Sequence, residues 1–126
     1  MIEIIDSLSD PIRMLCNKNS NILAGSIVQL KEINGDTVCV LSDGTRPFGI
    51  SLGKPDDTGL IQVIFNFTIL KTKLYDPRAA YDPGDALYST RAGILTTRKY
   101  FSNPAPLGYV VKGPYKNSNY LEINWI

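Results

Sequence analysis

Apolar and polar residues alternate along most of this chain in short runs cut by turn residues, the period of half-buried strands. Ser26-Ile27-Val28-Gln29-Leu30-Lys31, then Asn34-Gly35, then Thr37-Val38-Cys39-Val40-Leu41 form a hairpin signature, since both turn residues tolerate positive φ. Asp43-Gly44 repeats the turn device, and a third strand is expected from Phe48 to Leu52. Leu60 to Lys73 is the longest extended stretch, with Ile61, Val63, Phe65, Phe67 and Ile69 expected on one face and Gln62, Asn66 and Thr68 on the other. Ala86 to Thr90 and Gly93 to Thr97 read as a further hairpin around Arg91-Ala92. Leu107 to Lys112 and Tyr120 to Trp125 close the pattern, the last with Leu121, Ile123 and Trp125 on one apolar face. The best helical candidate is Ser9 to Asn17, where Asp10 would cap and Pro11 would take the first helical position for at most two turns. The expected fold is all-β: a small β-barrel, β-tulip-like or sandwich domain of about nine or ten short strands, with at most one short helix near the N-terminus. A single domain is expected, with 1–21 as an N-terminal arm or edge segment and 22–126 as the barrel core.

Composition narrows the chemistry. In 126 residues, 13 basic and 12 acidic side chains leave a net charge of +1, without the clustered Lys/Arg that marks nucleic-acid or anionic-membrane partners. With 10 glycines and 8 prolines, no window sustains a 3.6-residue period, and no apolar run approaches a membrane span. The chain has no histidine, which removes Ser-His-Asp and Cys-His nucleophile systems and His-rich zinc sites. A chain of this length builds a core without staples, so no cofactor is expected. Cys16 and Cys39 are expected as buried, reduced thiols, too far apart for a CxxC pair. Met1-Ile2-Glu3-Ile4-Ile5-Asp6 lacks a basic leader region, so a cytoplasm-like compartment is expected.

Several short motifs carry chemistry by spelling. Asp57-Thr58-Gly59 matches the aspartic-protease triplet, but Lys54-Pro55-Asp56 before it is a polar turn cluster rather than an apolar strand. Gly49-Ile50-Ser51-Leu52-Gly53 fits the nucleophile-elbow pattern without the histidine that chemistry needs, and a strand with a glycine at each end accounts for it. Asn66-Phe67-Thr68 spells a glycosylation sequon in mid-strand. Asp76, Asp82 and Asp85 offer carboxylates from one loop without calcium-loop spacing, and turn formation accounts for them. A stacking platform for single-stranded nucleic acid would rest on Arg91, Arg98 and Lys99 with Tyr100 and Phe101.

The strongest functional signal is aromatic. Tyr75, Tyr81, Tyr100, Phe101 and Tyr115 fall in irregular connections, where they either anchor an oligomer or capsid interface or cap the ends of their own monomer. Ile2, Ile4, Ile5 and Leu8 pose a parallel choice between an edge strand of their own sheet and an arm that adds a strand to a neighbouring chain.

The ordered segments Ala24-Gly25-Ser26-Ile27-Val28-Gln29-Leu30, Arg46-Pro47-Phe48-Gly49-Ile50-Ser51, Pro83-Gly84-Asp85-Ala86-Leu87-Tyr88, Ala92-Gly93-Ile94-Leu95-Thr96-Thr97, Pro106-Leu107-Gly108-Tyr109-Val110-Val111 and Leu121-Glu122-Ile123 resemble the head decoration (capsid cement) proteins of tailed bacteriophages. The resemblance covers about residues 22–126 and departs where the loops at Lys73 to Asp82 and Tyr100 to Pro106 are long and aromatic. It implies a non-enzymatic virion protein, made in the host bacterial cytoplasm, that binds the outer surface of the head and bridges capsomers. The implied partners are the major capsid protein and further copies of the chain, with a trimer favoured, and neither nucleic acid nor membrane. A tail or baseplate-associated β module of the same particle is the alternative, followed by a small aspartic protease or an oligonucleotide-binding barrel.

Overall fold

The computed structural model describes residues 1–8, 10–101, 104–114 and 118–126. Among the described residues eleven strands carry the fold: β1 (Ile2–Ser7), β2 (Ile12–Leu15), β3 (Ile27–Ile33), β4 (Asp36–Leu41), β5 (Gly49–Ser51), β6 (Leu60–Ile64), β7 (Thr68–Thr72), β8 (Ala86–Ser89), β9 (Leu95–Thr96), β10 (Gly108–Lys112) and β11 (Leu121–Trp125). They form a six-stranded sheet in the order β1-β7-β11-β10-β8-β9 and a five-stranded sheet in the order β2-β6-β5-β3-β4, all pairings between strands being antiparallel. The protein is therefore an all-β sandwich rather than a closed barrel.

The β3–β4 hairpin forms as the alternation demands. Asn34 (φ 51°) and Gly35 (φ 85°) both take positive φ, and Ile33 pairs with Asp36 across the two-residue turn. Two expectations give way to tertiary structure. Among the described residues there is no helix, and the Ser9 to Asn17 candidate instead supplies β2, where Ile12 and Met14 are half-buried while Arg13 and Leu15 are exposed. Pro11 precedes a strand, a position as compatible with its fixed φ as the first turn of a helix. Leu60 to Lys73 is not one strand. It crosses between the sheets at Phe65-Asn66-Phe67, so that Ile64 of β6 and Leu70 of β7 meet in one cluster from opposite sheets while Ile61 and Val63 pack on the other face of β6. This split and β2 raise the strand count above nine or ten.

Two clusters of buried side chains hold the layers. Ile27, Ile50 and Ile64 from the five-stranded sheet meet Leu70, Leu87, Leu95, Val110, Leu121, Ile123 and Trp125 from the six-stranded sheet. At about 1.5–3 kcal/mol for each fully buried large apolar side chain, this contact is the main cohesion between the sheets. The opposite face of the five-stranded sheet curls round a second cluster of Cys16, Ile22, Val28, Cys39, Ile61 and Val63. Its two edges touch there through one parallel bridge, Cys16 to Cys39. The N-terminal segment supplies an edge strand to each sheet, with Ile2, Ile4 and Ile5 in β1 and Leu8 just beyond it.

Candidate functional site

Two surfaces at opposite edges of the six-stranded sheet concentrate the residues singled out in the sequence. The first is β1. It pairs with β7 from Ile2↔Thr72 to Ser7↔Thr68, and the register slips between Ile4 and Asp6, so Ile5 is bulged out of the ladder. Among the described residues no strand pairs with its outer side. Ile2 packs half-buried against the core, whereas Ile4 (36%), Ile5 (49%) and Leu8 (78%) are exposed. The Leu8 N–H donates to the Phe67 carbonyl at 3.3 Å, which sets Leu8 beside another exposed apolar residue. Glu3 pairs with Lys71 of β7 at 3.3 Å.

The second surface is an aromatic cleft of about 270 Å³ beside β8. Tyr100 and Phe101, both half-buried, form one wall with Pro104 and Pro106, while Phe48, Tyr88 and Trp125 line the remainder. Gly44 shapes it: its φ is +92°, and a Cβ there would stand 2.7 Å from Phe101 Cε2. Only a residue without a side chain accepts both the conformation and the ring. The indole N–H of Trp125 is buried and has no acceptor among the described residues.

Cations lie over the rings. Arg91 sits 5.2 Å from the Phe101 centroid, Arg98 5.9 Å from that of Tyr100 and Lys99 5.9 Å from that of Tyr88. Arg78 donates from Nη2 to the Tyr100 hydroxyl at 3.1 Å and from Nε to Asp76 at 3.2 Å. Asp76 is 3% exposed and holds the loop: it accepts from the Arg78 N–H and from Thr96 Oγ1, while its own N–H donates to the Leu95 carbonyl. Burial pushes its carboxyl up, but the hydrogen bonds from the Arg78 backbone, the guanidinium and Thr96 outweigh this and hold it below the ordinary carboxylate range.

The other aromatic candidates separate. Tyr75 and Tyr81 pack edge to face at 5.3 Å and lean on the core of their own chain, where they cap the sandwich. The Tyr81 hydroxyl donates to the Asp76 carbonyl at 2.6 Å, and burial, reinforced by Asp76 and Tyr75, drives its ionisation above the usual tyrosine range. Tyr115 lies outside the described residues.

The spelled motifs resolve into structure. Ser51 is buried in β5 and its hydroxyl donates to the Gly53 carbonyl, so it is not presented as a nucleophile. Asp57 stands exposed in a turn organised by Asp56, whose carboxylate accepts from the Thr58 and Leu60 N–H groups. Among the described residues no group of three or more His, Cys, Asp or Glu could hold a metal ion, and the Asp85 carboxylate is turned onto the Asp82 N–H. Cys16 and Cys39 are free, buried thiols that the fold brings together, and burial, with Cys16 alongside, pushes Cys39 up to about 12. No helix among the described residues is long and apolar enough to cross a membrane.

In the sequence Phe48, Tyr88 and Trp125 read only as strand residues and Arg78 only as part of a loop. Phe48 carried a usable signal, since Pro47-Phe48 repeats the proline and aromatic composition of Tyr100 to Pro106. No protein-family model matches this chain, and no curated protein matches it in sequence. The likeness to head decoration proteins therefore rests on the segments quoted above.

Proposed function

We propose that this chain is a structural protein of a virus particle that binds the outer surface of a tailed-bacteriophage head and stabilises it by bridging capsomers. The observation that carries the reading is β1, a six-residue strand at the edge of its sheet, beyond which no further strand lies among the described residues and which presents Ile4 and Ile5, with Leu8 just after it, to solvent. Such an edge invites a further strand, with main-chain hydrogen bonds for affinity and alternate side chains for register. In this reading the added strand belongs to the major capsid protein. Binding the assembled shell but not its burst form stabilises the shell by mass action over many copies. No chemistry is asked of the chain, and self-association into trimers would multiply the contacts.

The test is quantitative mass spectrometry of purified virus particles from the source of the chain, giving copies relative to the major capsid protein before and after a stripping wash. A ratio near that of a lattice component supports the proposal, and thermal bursting with and without the protein then measures the stabilisation. A trace ratio moves the chain to the tail or baseplate, and absence from particles sinks the structural role.

A further inference from the structure

We propose that the cationic ridge over the aromatic cleft is a docking surface for an acidic segment of a partner protein. This does not depend on the partner being a capsid. Arg78, Arg91, Arg98 and Lys99 gather round Tyr88, Tyr100 and Phe101 in a chain whose overall charge is only +1. Asp76, on Arg78, is the one carboxylate in ion-pair contact with these four among the described residues. Asp85 shares a shallow depression with Lys99 without pairing to it. Arg78 and Arg91 bracket a depression of about 330 Å³ whose floor includes Ala92 and Ile94. With Arg78 held by Asp76 and Tyr100, the Arg91 fork beside this apolar floor fits an acidic residue with an apolar neighbour: the carboxylate takes the Arg91 fork within the field of Arg78, and the neighbour covers the floor.

The rings decide between an acidic protein segment and single-stranded nucleic acid. Base binding on an aromatic platform needs a free ring face. Here Arg98, Arg91 and Lys99 each lie over one face of a ring, so a base stacking on that face would first have to displace a cation. The same contacts hold the cations in place, so less rotamer freedom is lost when carboxylates arrive.

The experiment uses fluorescence polarisation of the intact protein with three labelled probes: a Glu-rich peptide carrying a single Phe, the same peptide with every Glu replaced by Gln, and a single-stranded oligodeoxynucleotide. The Glu-rich peptide is expected to bind best, with affinity falling as salt is added. The double variant Arg91→Glu/Arg98→Glu is expected to lose at least roughly tenfold. Lys18→Glu/Lys54→Glu, which changes the same charge on turns away from the cleft, should leave binding nearly unchanged. If charge reversal unfolds the chain, Arg91→Gln/Arg98→Gln carries the comparison, and unaltered binding by that variant overturns the proposal. It also fails if the Gln peptide binds as well as the Glu peptide. Tighter binding of the oligonucleotide would reassign the ridge to nucleic acid. Self-association of the protein alone, abolished by the same reversal, would reassign it to a second copy.

Discussion

The two edges of the six-stranded sheet are finished in opposite ways. β9 is two residues long and lies under the 76–81 loop, with the Leu95 carbonyl taking both the Asp76 N–H and, at 3.3 Å, the Tyr81 hydroxyl. Arg98 and Lys99 follow it after Thr97. Brevity, cover and charge are standard defences against a stray strand. β1 has six residues, no covering loop over its outer side among the described residues, and exposed isoleucines where the other edge has cations. One edge is closed and the other is left open, and the contact surface proposed above is the open one.

The largest expected effect comes from uncovering the closed edge. Asp76→Ala leaves the buried Thr96 hydroxyl and the Arg78 N–H without their acceptor and should cost about 2–4 kcal/mol in urea unfolding. A loss under roughly 0.5 kcal/mol would show that the loop covers β9 without Asp76. The same residue sets an acid dependence. Its folded pKa lies below its unfolded one, so its contribution is complete above the ordinary carboxylate range and disappears as pH falls through the depressed value. Asp76→Asn should therefore flatten the acid limb of the stability curve, measured as urea midpoints across pH.

Gly44→Ala should come next, at about 1–2 kcal/mol, because it puts a Cβ at positive φ and into Phe101. The Glu-rich probe should also bind more weakly to it, since Phe101 carries Arg91. Smallest should be Ile5→Lys on the open edge, within about ±0.5 kcal/mol of the parent in unfolding experiments. Its effect should appear instead as lost binding to shells. A large stability loss would mean that Ile5 serves the fold and that the edge is not a free surface.

Local signals reached the elements that local chemistry controls. Asn34-Gly35 dictated the β3–β4 turn, and Leu121, Ile123 and Trp125 face the core as their alternation required. The failures came where distant parts of the chain decide. Nothing between Phe65 and Phe67 announces a change of sheet, because both halves alternate well and only the sheet each half pairs into differs. Ile12 to Leu15 is too short to separate a helical turn from a strand until β6 pairs with it. The aromatic residues were visible as a class, but whether a loop tyrosine caps its own core, as Tyr75 does, or walls a cleft, as Tyr100 does, depends on how the loop returns.

The placement of β11 also bears on how the molecule is made. Among the strands it comes latest in sequence, yet it sits between β7 and β10 in the larger sheet. During synthesis, β1 and β7 form one fragment and β10, β8 and β9 another, with a gap that only residues 121–125 can fill. Pairings between distant parts of a chain form slowly. The nascent protein therefore carries two raw edges beside the open one it keeps, and the interval before β11 inserts is when it is most exposed to mispairing with other chains.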